Sequence, residues 1–193
     1  MIILGFDPGG ENGSGAALWR VDRPPLTTSH RSVDSAFDWF LKQLGDQRPA
    51  AAGIDTLLCW QTGPGGWREP DKLLRKRYPK VMNSVVAPNS LFGSMAVQGM
   101  AMAIKLRQYW PEIHLNETHP KVLYFDQAKC EYEYCEKLVR WLCRQDASFR
   151  CWKPANEHEW DALMSAWATY QGVTHKWTGP NLRKHARNPR VIP

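Results

Sequence analysis

The stretch Met1-Ile2-Ile3-Leu4-Gly5-Phe6-Asp7-Pro8-Gly9-Gly10, continuing through Gly13-Ser14-Gly15-Ala16-Ala17-Leu18-Trp19, is the one around which the rest of the chain is read. Ile2, Ile3 and Leu4 form an apolar run of the kind that builds a buried strand. Pro8-Gly9-Gly10 forces a turn directly after Asp7. Gly15 to Trp19 reads as a second strand, so the two segments make a hairpin. Asp7 therefore stands at the end of a central strand, beside a turn. It can start that turn, as Asp commonly does, or face a metal or substrate.

Working outward, Leu26 to Val33 is Thr-rich and reads as a third, edge-like strand. Ser35 to Leu44 repeats Phe37, Phe40, Leu41 and Leu44 at helical spacing, and Gly45 is a natural stop. Ala50 to Leu58 is small and apolar. It reads as a buried strand parallel to the first, reached through the crossover helix. Asp55 lies near its end. A loop rich in Gly and Trp follows, containing Trp60, Trp67 and Arg68. Beyond Pro70 a short helical pattern carries Lys72, Arg75, Lys76, Arg77 and Lys80. Basic side chains interleaved with aromatics grip phosphates and stack on bases, although a solvated positive helix face has the same composition.

Val85 to Asn89 reads as a connector and Ser94 to Tyr109 as a long core helix, with Ala96, Gly99 and Ala103 as a small face. Glu112 to Glu117 alternates as a strand, and His119-Pro120 breaks the chain after it. Tyr132 to Arg144 reads as another helix. Asn156 is an N-cap for a last helix, with Glu159 completing a capping-box pattern. Trp160, Leu163, Met164 and Trp167 form its apolar stripe, and Asp161 stands at the edge of that stripe. His158 and Glu157 lie near the same side. An acid in that position makes little sense for packing alone.

The whole chain bounds these readings. Its 193 residues suit one domain, and 43% hydrophobic with 23% charged residues is a soluble globular composition. No apolar run approaches the roughly 18 residues of a membrane span, and no basic segment precedes an apolar one at the N-terminus, so neither a membrane location nor a signal peptide is expected. The five cysteines, Cys59, Cys130, Cys135, Cys143 and Cys151, are odd in number and lack a Cys-x-x-Cys pair. Reduced thiols in a cytoplasmic protein are the plain expectation. The net charge of +6 lies mostly after Asp161, in Lys176, Arg183, Lys184, Arg187 and Arg190. That suits a polyanionic partner or a solvated tail. The expected division is a domain over residues 1–172 and a basic tail over 173–193.

Ile3-Leu4-Gly5-Phe6-Asp7-Pro8-Gly9 with the small-residue strand after it resembles the opening of RuvC-type Holliday junction resolvases and of the wider ribonuclease-H-like superfamily. His158-Glu159-Trp160-Asp161-Ala162 resembles the last helix of those resolvases. The strand with Asp55 in a small apolar context, and Glu117-Thr118-His119-Pro120, resemble a family of uncharacterised predicted ribonuclease-H-like nucleases. The resemblance departs from the resolvases in having Asp55 where they carry Glu, and in the late position of Glu117. It implies an α/β fold with a ribonuclease-H-like mixed sheet, antiparallel at its N-terminal strands and then parallel, flanked by helices. It also implies a metal-binding Asp7, with Asp55 facing the same site.

Gathered at one sheet edge, Asp7, Asp55, Glu117 and Asp161 would repel unless a cation joined them. Oxygen donors favour Mg²⁺ or Mn²⁺, and a pair of such ions serves phosphodiester cleavage. His158 would ligate or position the water, or act as a general acid. The reading is a metal-dependent nuclease on structured or branched nucleic acid, DNA or RNA, with Arg68, Lys72, Arg75, Lys76, Arg77, Arg183, Lys184 and Arg187 as phosphate contacts. The resemblance also allows a homodimer. A non-catalytic nucleic-acid-binding module and a nucleotide or phosphotransfer protein of related fold are the alternatives.

Overall fold

The computed structural model describes residues 1–10, 13–58, 63–86, 93–129 and 136–176. Strands β1 (Ile2–Asp7), β2 (Ser14–Arg20) and β3 (Leu26–His30) form an antiparallel meander. Helix α1 (Val33–Leu44) then crosses over to β4 (Ala51–Ile54), which pairs in parallel with β1. Strand β5 (His114–Glu117) adds in parallel to β4, so the sheet order is β3-β2-β1-β4-β5. The mixed sheet flanked by helices is the expected ribonuclease-H-like architecture.

Period-two alternation divides the sheet residues between two layers. Leu4, Phe6, Ala16, Leu18, Ala52, Ile54 and Leu115 pack with α1 and with α3 (Gly93–Tyr109). Ile3, Ala17, Trp19 and Ala51 face α6 (Glu157–Val173), α4 (Pro120–Ala128) and α5 (Glu136–Gln145). Helix α6 lies unusually close to the sheet because Gly5 and Gly53, neighbours across β1 and β4, have no side chain. A Cβ at either would collide with the carbonyl of Ala162 or Ser165. Between β4 and α3, helix α2 (Glu69–Arg77) and a 3-10 segment Pro79–Ser84 pack Leu74, Tyr78, Val81 and Val85 onto Val122 of α4.

Several boundaries differ from expectation for local reasons. Val33 opens α1 rather than closing β3, because the Ser32 hydroxyl caps the helix by accepting from the Ser35 N–H at 3.1 Å. The strand expected over residues 50–58 stops at Ile54, and Asp55 lies just past it. His119-Pro120 does not end regular structure. Pro120 takes the first position of α4, where its missing N–H costs nothing. Glu159 does not close a capping box on Asn156. It accepts from the Ala155 N–H at 3.0 Å and from the Thr27 hydroxyl at 2.8 Å, while the Asn156 side chain still caps α6. Residues 132–135 of the helix expected over 132–144, and Cys59, Cys130 and Cys135, lie outside the described residues.

Candidate metal centre

The site is built where β1 and β4 end beneath the first turns of α6. Ile3, Gly5 and Asp7 alternate onto the α6 side of the sheet, and Ala51, Gly53 and Asp55 do the same one strand over. Helix α6 is held at the matching depth. Its N-terminus is pinned to the edge strand by Asn156 Nδ2 donating to Ser29 Oγ at 2.8 Å and by the Thr27–Glu159 bond. One turn further, Ser165 accepts from Thr118 Oγ1 at 2.8 Å.

These constraints bring one carboxylate oxygen from each of Asp7, Asp55 and Asp161 within 4.8 Å of one another. Asp7 and Asp161 are each 4% exposed, and Asp55 is half-buried. His158 Nδ1 lies 2.7 Å from Asp7 Oδ2. Burial pushes the Asp7 carboxyl up to about 8; Lys121 pulls it down and Glu157 pushes it further up. Burial also raises Asp55, and the neighbouring charges of Asp7 and Asp161 add to the effect, against His119 and Lys121. Such a group holds protons in the metal-free protein because its charges cannot coexist. A divalent cation with a preference for oxygen ligands would resolve that conflict, and the donor set fits Mg²⁺ or Mn²⁺.

Glu117 does not join this group. Ile113, Leu115 and Glu117 alternate on the opposite side of the sheet from Asp55, and Glu117 pairs with Ile54 in register. Its carboxylate is claimed by Arg68: Nη1 donates to Oε2 at 2.9 Å, Nη2 bonds Oε1, and the Leu58 N–H donates to Oε2 at 3.0 Å. Burial pushes Glu117 up, but the bonds from Arg68, with His119 3.5 Å away, hold it down at about 2.

Arg68 was expected to contact phosphate, but it is 5% exposed and also holds Asp71, donating from Nε at 2.9 Å. Arg75 lies over the Trp67 ring and donates to the carbonyls of Met82 and Val85. Lys76 and Arg77 are exposed, as is Lys72, which pairs with Glu69 at 2.9 Å. Arg183, Lys184 and Arg187 lie outside the described residues.

Sequence reasoning gave no role to Lys121. In the first turn of α4 its ammonium lies 3.3 Å from Glu157, and burial lowers its pKa less than Asp161 and Glu157 raise it. The only sequence hint was its place two residues after His119, in a segment read as a break.

No family model and no curated protein matches this sequence. Solved structures do. A Thermus thermophilus RuvC structure superposes with a TM-score of 0.52 over 91% of this chain and 97% of that one, at 15% identity. T. thermophilus RuvC in complex with Holliday junction substrate gives a TM-score of 0.51 over 90% and 96%, at 14% identity. The chain thus has a ribonuclease-H-like fold of the RuvC type. At this identity the likeness establishes the fold and leaves activity to be argued from the site.

Proposed function

We propose that this protein is a metal-dependent nuclease that hydrolyses phosphodiester bonds in structured or branched nucleic acid. The observation that carries the reading is the Asp7–Asp55–Asp161 cluster, with Asp7 and Asp161 buried and the Asp7 and Asp55 carboxyls held above their ordinary range, on a fold shared with a junction-bound RuvC. Asp7, Asp55 and Asp161 would hold Mg²⁺ or Mn²⁺, with His158 beside them. Bound there, the cation would supply an activated water and neutralise charge on the scissile phosphate.

The chain's own residues account for the rest. His158, hydrogen-bonded to Asp7, is placed to orient water or carry a proton at Nε2. Lys121 offers positive charge at the rim, on the α4 side. Lys72, Lys76, Arg77 and Lys80 are exposed on the segment inserted between β4 and α3, where they would meet the phosphates of a duplex arm.

The test is a labelled panel of single strand, duplex, four-way junction and RNA–DNA hybrid, incubated in Mn²⁺ and in EDTA, with Asp7→Asn protein alongside. Cleavage that needs Mn²⁺ and is lost in the variant is the expected result. Mn²⁺ binding without cleavage of any member would favour a binding module, and failure to bind Mn²⁺ would remove the metal-centre reading.

A further inference from the structure

We infer that Gln98 of α3 is a positioning residue for the Asp7–His158 pair, acting through a closed ring of hydrogen bonds around Gly9. The inference rests on the metal-centre reading above. The Gly9 N–H donates to Ser14 Oγ at 3.2 Å, Ser14 Oγ donates to Gln98 Oε1 at 3.0 Å, and Gln98 Nε2 donates to the Gly9 carbonyl at 3.2 Å. Both backbone groups of Gly9 are therefore taken up, and the Gln98 amide is satisfied at both ends. Ser14 is 2% exposed and its bond to Gly9 is buried, so that side of the ring is sheltered from water that would otherwise compete for these groups.

Gly9 is two residues after Asp7 and lies against the second member of the pair. A Cβ on Gly9 would run into the Gly13 carbonyl and stand 3.2 Å from His158 Cε1. The Gly9 backbone thus backs the imidazole whose Nδ1 meets Asp7. A shift of Gly9 is passed to both ends of that hydrogen bond, by the chain to Asp7 and by contact to His158.

Gln98 reaches this loop because its neighbour has no side chain. A Cβ at Gly99 would collide with Thr56 and crowd Ile54, so α3 sits hard against the end of β4, next to Asp55. One turn of α3 therefore touches the ends of both strands that carry site acids. Gln98 supports the site from the face of the sheet opposite α6. This is an outer-shell role, of the kind that orients ligands without touching the ion.

The test uses the full chain with Gln98→Ala, Ser14→Ala, the double variant and, as a helix control, Gln108→Ala at an exposed position on α3. Exchange of the Gly9 amide in metal-free protein should quicken in Gln98→Ala and Ser14→Ala and stay unchanged in Gln108→Ala. Mn²⁺ affinity, read by calorimetry, should weaken about tenfold in each single variant, the usual cost of losing an outer-shell partner. The double variant should be little worse than either single one, because both break the same ring. Cleavage should lose kcat, with KM for the nucleic acid unchanged.

Wild-type protein that binds Mn²⁺ no better than Gln98→Ala overturns the inference and leaves the nuclease reading intact. An unchanged Gly9 exchange rate in metal-free Gln98→Ala overturns it whatever the metal does. A lower melting temperature with unchanged Mn²⁺ affinity overturns it too, since that is a structural role alone. Wild-type protein that binds no Mn²⁺ overturns the metal-centre reading on which the inference rests.

Discussion

Two groups of acids lie at one end of the same sheet, and they treat charge in opposite ways. Glu117 and Asp71 share the guanidinium of Arg68, which fills their lone pairs and locks helix α2 to the end of β5. Asp7, Asp55 and Asp161 instead converge on one another, and burial drives Asp7 and Asp55 upward. The contrast teaches which buried carboxylates are structural. An acid paired with a buried guanidinium has its counter-charge already. Acids gathered against one another store an electrostatic conflict that a cation can relieve.

The comparison breaks most visibly in activity. On the proposed nuclease reading, Asp7→Asn and Asp161→Asn should each lower Mn²⁺-dependent cleavage by roughly a thousandfold or more, since each would remove a ligand of the same proposed centre. Measured on the panel substrate, an active double variant would end the mechanism.

Stability should respond the other way round. Arg68→Ala takes the guanidinium away from buried Asp71 and half-buried Glu117 and should cost about 3–5 kcal/mol. In thermal unfolding that is a fall in the midpoint on the order of 10 °C for a chain of this size. Asp7→Asn should leave the midpoint unchanged or raise it, because relief of the buried charge conflict offsets the altered hydrogen bond to His158. Equal losses in the two variants would erase the distinction between the groups.

The pH dependence sharpens it further. Asp7 holds its proton up to about 8 in the folded protein and releases it near 3.8 when unfolded. Between those values the folded state binds more protons, so metal-free stability should decline as pH rises toward 8. Asp7→Asn, or added Mn²⁺, should flatten that decline. Glu117 has the opposite sign. Its folded value of about 2 lies below its ordinary 4.5, so its stabilisation is present above pH 4.5 and is lost as pH falls toward 2. Glu117→Gln should flatten only this acid limb. Melting curves of wild type and both variants from pH 2 to 9 would show whether the limbs separate.

The smallest effects are expected at the exposed cations. Lys76→Ala and Arg77→Ala should each weaken nucleic-acid binding uniformly across substrates and lower the salt slope by about one. Removing residues after Gly172 should flatten the slope further. Binding titrations over a range of salt concentrations would detect both, and an unchanged slope would exclude these groups as phosphate contacts.

Much of this was legible along the chain. The apolar run ending at Asp7, the Pro8-Gly9-Gly10 turn and the small strand after it give the hairpin, because strand and turn preferences act over a few residues. The alternation Ala51, Gly53, Asp55 places that acid on the side of Asp7. The Asn156 cap and the Trp160–Trp167 stripe orient Asp161 toward the sheet. The same period-two reasoning, applied from Leu115 to Glu117, separates Glu117 from the cluster, but only once register ties β5 to β4. Pro120 is ambiguous locally, since proline both ends and begins helices.

The sequence alone determined the acids at the strand ends, the capped last helix and the order of the strands, since these follow from periodicity and turn chemistry within a few residues. The tertiary structure alone decided how the charges pair. Arg68 meets Glu117 across 49 positions, His158 meets Asp7 across 151 and Gln98 meets Gly9 across 89. No local pattern records such distances. The last two arise when Gly5 and Gly53 let α6 settle onto one face of the sheet, and Gly99 lets α3 settle onto the other.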